Sequence, residues 1–415
     1  MKRPVLVLGL LALVSFANYV DRMVLSALAQ PIKAEFALSD AQLGLLTGFA
    51  FVLIYSFTGV PLARLADRTN RAVVLAAALA LWSLATAACG LTGSFAGLVI
   101  ARVFVGIGES GCQPIGYGLI GDYFPAERRA LAMGWFMVGN SLGITAGFAI
   151  GGWIGALYGW RAAFVVVGIP GLLLALAVAT LLRAPAQAHS AAARASAPPL
   201  LGALRLLLAD SRYRWLLAVQ GAYSFLIFGP ISWLPAYFTR VLGLPLKTVG
   251  TWTGLTVGIG MGLGMLCGGV VADRLVRRSL SSPQWFGCIA SLGTGAAWLV
   301  VMLIAQPVWA FIATFVAAGI AALGAPVNVA SVQNVCDPRL RATAASLTTL
   351  ATSLIGIGLA PYVIGVLSDT FAPALGKEAL RYAILASLPA CFIAAALFAR
   401  LARLLQEPPA QPALA

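Results

Sequence analysis

Ala63-Arg64-Leu65-Ala66-Asp67-Arg68-Thr69-Asn70-Arg71 and, later in the chain, Gly269-Val270-Val271-Ala272-Asp273-Arg274-Leu275-Val276-Arg277-Arg278 are two versions of one short loop. Leu38, Gly44, Asp67 and Arg68 recur as Leu244, Gly250, Asp273 and Arg274, each 206 positions later. A constant offset of that length points to a duplicated domain. Each loop follows the second of six apolar segments in its half. The segments cover residues 5–29, 41–63, 72–92, 96–120, 130–156 and 162–182, then 214–238, 248–272, 284–305, 308–332, 343–367 and 380–404. Each is near the ~20 residues that a helix needs to cross ~30 Å of hydrocarbon. The predicted fold is an all-α membrane protein of twelve transmembrane helices in two six-helix halves. Its units are an N-terminal bundle over 1–183, a cytoplasmic linker over 184–212, a C-terminal bundle over 213–405 and a cytoplasmic tail over 406–415. Within the linker, the leucines of 200–209 with Arg205 predict a short interfacial helix.

Composition agrees. Of 415 residues, 61% are hydrophobic and 10% charged, and the mean hydropathy is +0.94, which leaves a soluble domain too little polar surface. The net charge of +14 raises the question of nucleic acid, but no stripe of interleaved aromatic and basic residues is present. Topology accounts for it instead. With the N-terminus inside, nineteen loop cations face the cytoplasm, and only Lys33, Arg161, Arg240, Lys247, Lys377 and Arg381 face out. The positive-inside rule therefore predicts both termini in the cytoplasm. The excess of Arg and Ala over Lys suggests a GC-rich bacterial source and a bacterial inner membrane. Lys2 and Arg3 before an apolar run imitate a signal peptide, but the run is too long, and Asp21 and Arg22 interrupt it. Cys89, Cys112, Cys267, Cys288, Cys336 and Cys391 have no metal or redox spacing and read as small packing residues. The single His189 lies in the Ala/Pro/Ser-rich linker and is assigned no role. No metal or cofactor is expected, and Gly258, Gly260, Gly262 and Gly264, lacking a preceding strand, read as helix packing rather than a nucleotide loop.

Four charges break the apolar pattern: Asp21 and Arg22 in the first helix, Arg102 and Glu109 in the fourth. A charge near the bilayer centre costs at least ~2.5 kcal/mol, so such residues face a cavity or one another. Asp21 lies ~25 Å along the first helix from Pro4, and Arg102 ~9 Å and Glu109 ~20 Å from the outer end of the fourth. Asp21 and Arg102 thus reach similar depths, where a pair is possible. Arg102, Gly106, Glu109, Gln113 and Gly116 share one helical face, a polar stripe suited to lining a cavity. The plain alternative is a fixed ion pair that locks two helices. In the second half no charge enters the membrane; Gln220, Tyr223, Phe225 and Asn328 are the polar or aromatic candidates for its cavity wall, with ordinary packing as the alternative for each.

The two loops resemble the signature of the major facilitator superfamily, with Ala63 and Asn70 where that pattern usually has Gly. The resemblance implies a removable cytoplasmic latch built from Asp67, Arg68, Arg71, Asp273 and Arg274, in which an acid meets cations and a neighbouring helix N-terminus. Arg128-Arg129-Ala130 and Arg341-Ala342 echo each other and are expected to add gate contacts. Gly139, Gly143, Gly147, Gly151 and Gly152 resemble the superfamily's fifth-helix pattern, with Ile144 where Pro is often found. Asn18-Tyr19-Val20-Asp21-Arg22, Trp82-Ser83, Arg102 with Gly106-Ile107-Gly108-Glu109, Asp122-Tyr123-Phe124-Pro125 and Gly159-Trp160-Arg161 together resemble the Spinster family within it. That resemblance covers most of the first six helices. It implies proton-linked alternating access for amphipathic lipids such as lysophospholipids or sphingoid phosphates, in a chain expected to work as a monomer.

On this reading Asp21 and Glu109 are the proton-coupling acids, Arg22 and Arg102 the headgroup or charge-pair cations, and Asn18, Tyr19 and Gln113 cavity residues. Deprotonated Asp21 holds an arginine, and a proton or an arriving anion releases it. One proton crossing ~180 mV yields roughly 4 kcal/mol, enough for about a thousandfold gradient. Symporters of sugar acids also show an Asn-Tyr-x-Asp-Arg-like first helix and remain the main alternative. An intramembrane enzyme using Asp21 and Glu109 leaves the loops unexplained, and a duplicated, gated, charge-lined bundle speaks against a receptor.

Overall fold

The computed structural model describes residues 4–182, 200–279, 281–337 and 340–406. The expected linker over 183–199 with His189, most of the tail, and the loop cations Lys2, Arg3, Arg183, Arg194 and Arg339 lie outside the described residues.

Twelve membrane-length helices, numbered α1 to α12, make up nearly all of the described chain, which contains no strand among those residues. In the first half they are α1 (Pro4–Ala27), α2 (Asp40–Arg68), α3 (Arg71–Cys89), α4 (Phe95–Tyr123), α5 (126–158) and α6 (160–181). In the second they are α7 (Ser211–Arg240), α8 (Leu246–Val276), α9 (Ser282–Leu303), α10 (307–335), α11 (341–375) and α12 (379–404). An even number of crossings puts the start of α1 and the end of α12 on one side, the terminal side; the opposite is the far side. A short helix, Ala29–Phe36, lies on the far side, and Leu200–Ala209 is helical just before α7.

The helices end abruptly because bilayer chains must satisfy their own backbone. Asn70 accepts from the Ala72 amide at 2.9 Å to start α3, Ser94 from Gly97 at 3.1 Å to start α4, and Asp210 from Arg212 at 2.8 Å to start α7. Between α5 and α6, where the hydropathy predicts a loop, there is none. Gly159 alone turns the chain at φ 82°, a left-handed conformation that glycine adopts without a Cβ clash. Two helices are interrupted at matching places, α4 after Glu109 and α10 at Gly324, and α2 and α11 each contain a widened turn, Leu45–Phe49 and Thr352–Leu359.

On the far side the halves are sealed along two seams. At the α5–α8 seam a Cβ on Gly152 would sit 2.7 Å from the Gly250 Cα. Only a pair of glycines permits that approach. At the α2–α11 seam a Cβ on Gly44 would meet the Pro361 carbonyl at 2.5 Å, and one on Gly48 the Ile357 carbonyl at 2.5 Å. Below these contacts, on the terminal side, α2, α4 and α11 separate around a cavity of about 800 Å³.

Candidate functional site

The interruption of α4 fixes the site. Glu109 is the last residue of the first segment, buried to 0% exposure, and its carboxylate turns toward α1. There Arg22 Nε donates to Glu109 Oε2 at 2.7 Å. Seven residues earlier on α4, Arg102 Nη1 lies 3.8 Å from Asp21 Oδ1. The depth arithmetic thus finds its pair, and the adjacent Arg22 serves the other acid. Thr86 of α3 donates its hydroxyl to Asp21 Oδ2. Phe51 of α2 separates the two cations, its ring centre 5.1 Å from the Arg22 Cζ and 5.0 Å from that of Arg102. Tyr55 and Tyr19 add faces at 4.8 Å and 5.5 Å from Arg22. Aromatic faces attract desolvated guanidinium groups where water is excluded.

Neither pair is saturated. Arg102 Nε and Nη1, Asp21 Oδ1 and Glu109 Oε1 are buried without a hydrogen-bond partner in the protein. Buried polar atoms are nearly always bonded, so these four atoms hold unused hydrogen-bonding capacity.

The pairs face different spaces. Tyr55, Ser110 and Gln113 line the inner end of the central cavity, which puts Arg22 and Glu109 immediately behind its wall. Arg64 and Arg68 stand at its mouth, and the wall from the second half is a ladder of hydroxyls on α11: Thr343, Ser346, Thr349 and Ser353. Asp21, by contrast, lines a smaller lateral cavity of about 430 Å³ among α1, α3, α5 and α6.

The remaining sequence candidates are dispersed. Asn18 is buried beside Glu109, and Tyr19 lies against Arg22. Gln220 donates to Thr352 Oγ1 on α11. Tyr223 is buried against α10, donating to the Ala321 carbonyl at 3.0 Å and accepting from the Gly324 amide at 3.1 Å. Asn328 is buried on α10, and Phe225 is half-buried on α7. None of these four second-half residues lines the central cavity.

On the terminal side Arg71 donates to Asp67 at 2.6 Å and to Asp122 at 2.5 Å. Arg129 bonds the Gly121 and Phe124 carbonyls at the end of α4, at 2.9 and 3.0 Å. Arg128 is exposed, as are Asp273 and Arg274 at the end of α8, and Arg341 keeps a buried Nε without a hydrogen bond.

Sequence reasoning missed the far-side latch. Arg240 of α7 donates to Asp40 Oδ2 and Oδ1 at 2.6 and 2.7 Å, Ser368 of α11 donates to Asp40 Oδ2 at 2.6 Å, and Lys33 donates as well. Asp369 of α11 accepts from the Asp40 and Ala41 amides at 2.8 and 2.7 Å, capping α2 from the other half. The only hint in sequence is Arg240 and Lys33 among the few far-side cations.

The Major Facilitator Superfamily family model matches residues 11–293. The chain belongs to the major facilitator superfamily. It is 33% identical over 379 residues to an MFS-type efflux pump of Mycolicibacterium smegmatis, covering 91% of this chain and 87% of that one. It is 30% identical over 285 residues to a probable L-galactonate transporter of Escherichia coli K12, covering 66% and 62%. Among solved structures, a bacterial homolog of the human lysosomal transporter Spinster, in an inward-facing and unoccupied conformation, superposes with a TM-score of 0.87 at 28% identity over 99% of this chain and all of that one. The fold is that of a membrane transporter and not of an enzyme. The Spinster-like reading of the first half therefore extends to the whole chain as a structural likeness.

Proposed function

We propose that this transporter couples proton movement to alternating access for an anionic amphiphile, of the lysophospholipid or sphingoid-phosphate class, in a bacterial inner membrane with both termini cytoplasmic. The observation that carries the reading is the Arg22–Glu109 pair immediately behind the inner wall of the cavity. Its volume of about 800 Å³ lies within the roughly 300 to 1,000 Å³ of small-molecule sites. An anionic head finds Arg64 and Arg68 at the mouth and Arg22 behind Tyr55 at the inner end, with Val60, Ala63, Pro114 and Leu350 between them for an apolar body.

Charge balance supplies the coupling. Asp21, Glu109, Arg22 and Arg102 sum to zero, so an anion that takes Arg22 from Glu109 leaves a buried site one charge negative. A single proton on a carboxyl restores neutrality at far lower cost than a bare buried charge. Asp21 and Glu109 are then the proton-coupling acids, and Arg22 and Arg102 the cations they hold. Reclosing the terminal side brings in the gate residues Asp67, Arg68, Arg71, Arg128, Arg129, Asp273, Arg274 and Arg341, while the Asp40 cluster releases.

A second reading, a sugar-acid symporter, is favoured by the hydroxyl ladder of α11, which suits a polyhydroxylated carboxylate, and by the galactonate relative. Internal pH in proteoliposomes decides between them. Proton flux evoked by lysophosphatidate or sphingosine phosphate, and abolished in both Asp21→Asn and Glu109→Gln, supports the lipid reading. Flux evoked by galactonate alone moves the cargo to sugar acids. Flux that survives both substitutions removes the coupling assignment.

A further inference from the structure

The lateral cavity is chemically the opposite of the central one. Its walls are aliphatic and aromatic, with Leu13, Phe16, Ile150, Ile154 and Val166 among them, and its polar groups are Asp21, Thr86 and Ser83. No Lys or Arg lines it. Thr86 already spends its hydroxyl proton on Asp21 Oδ2, whereas Asp21 Oδ1 has no hydrogen-bond partner and Asp21 is 1% exposed. The floor therefore offers acceptor oxygens, with the Asp21 charge countered by Arg102 at 3.8 Å, and suits a hydrogen-bond donor better than a phosphate or carboxylate.

The mouth fixes the route of entry. Leu13 of α1 and Val166 of α6 line the cavity and are exposed on the outer face of the bundle, 52% and 46%, next to exposed Ile169 and Leu173. Leu13 lies ~14 Å along α1 from Pro4, well inside a ~30 Å hydrocarbon layer, and ~12 Å along the helix from Asp21. A ligand that arrives here comes dissolved in lipid and meets a carboxylate at the end of an apolar passage. Close packing of α3 on α6, where a Cβ on Gly171 would collide with the Ser83 side chain, keeps the floor rigid.

We propose that this cavity is a second, membrane-accessed binding site for a lipophilic amine: the chain lies between Leu13, Ile154 and Val166, and the ammonium donates to Asp21 Oδ1. It competes there with Arg102, whose Nη1 stands 3.8 Å from the same oxygen, a distance too long for a hydrogen bond. An ammonium at 2.7–2.9 Å forms the stronger, charge-assisted contact. Amphiphilic cations thus reach the coupling carboxylate by a path separate from that of the anionic cargo, and act as cargo of their own or as inhibitors of coupling.

The test is titration of dodecylamine into the purified protein in phospholipid nanodiscs, with empty nanodiscs subtracting simple partitioning. Saturable one-to-one binding is expected, weakened at least tenfold by Asp21→Asn and by either mouth-filling change, Val166→Trp or Leu13→Trp, whose side chains start exposed and so tolerate enlargement. Thr349→Trp, which narrows the central cavity instead, leaves the affinity unchanged. Affinity that survives both tryptophan substitutions, or falls only in Thr349→Trp, overturns the site. Equal affinity for dodecanol, lost in Val166→Trp, overturns the amine assignment and leaves an alkyl slot.

Discussion

Arg240 grips Asp40 with both terminal nitrogens, at 2.6 and 2.7 Å, across 200 residues of sequence and the boundary between the two halves. The carboxylate is almost fully buried, its side chain 3% exposed, and it also receives Ser368 and Lys33. Removing one member of a buried ion cluster strands the others, at a cost of about 3 kcal/mol to the state that contains it. Asp40→Ala is therefore expected to move the population away from far-side closure. Spin labels on the far-side loops at Gly93 and Lys377 should show a longer-distance component growing severalfold in double electron–electron resonance; an unchanged distribution refutes a latch role.

The α5–α8 seam has no room for a methyl group at Gly152 or Gly250. Gly152→Ala is expected to destabilise the closed far side by about 1–3 kcal/mol, the range for overpacking. Gly121→Ala, on the same half but facing open space, provides the control. The distance distribution between spin labels at positions 93 and 377, compared between the two variants, should lengthen only in the first. Equal distributions mean that the seam yields elsewhere.

Arg22 presents a planar head among three aromatic rings as well as a charge. Lysine keeps the charge but not the stacking or the fork of donors. Arg22→Lys is expected to weaken anion binding about tenfold in equilibrium binding assays, a loss of about 1.4 kcal/mol, while Arg64→Lys at the solvated mouth changes it little. Equal effects at both positions count against the inner site.

Glu35, outside the membrane, accepts from Arg161 and from Trp160 at 2.6 Å each, and these bonds hold its carboxyl below the usual glutamate value, the Arg161 bond most. A depressed value means that the contribution is present above the ordinary titration range and is lost as pH falls through the folded value. The melting temperature of wild type minus that of Glu35→Gln should be positive near neutral pH and shrink toward zero below about pH 4. A difference constant with pH shows that the carboxylate charge is not involved.

Helices and their duplication were legible because hydropathy and a constant offset are written along the chain itself. The Asp21–Arg102 pair was legible too, since antiparallel helices turn residue counts into depth. Arg22–Glu109 was not, because depth alone does not decide which of the acids and bases meet; that is set by side-chain packing, with the Phe51 ring 5.1 and 5.0 Å from the two guanidinium groups. Tyr223 reads as a cavity aromatic, yet the break at Gly324 frees an amide, and a carbonyl lies nearby at Ala321, and the phenol satisfies both. The α11 hydroxyls escaped notice because Ser and Thr are common in membrane helices and their facing depends on packing. Asp40, beside Ser39 and Gln42, has the appearance of a helix-start residue, and that capping box does form; its partners lie in the other half, beyond any local pattern.

Gly159 joins α5 to α6 without a loop, so no slack separates the two. One limb touches the opposite half at Gly152, and the other supplies Val166 and Pro170 to the lateral cavity. If the halves rock as proposed, the pair works as a bell crank: movement at the seam reaches the passage that leads to Asp21, and whatever wedges that passage open resists the rocking in return.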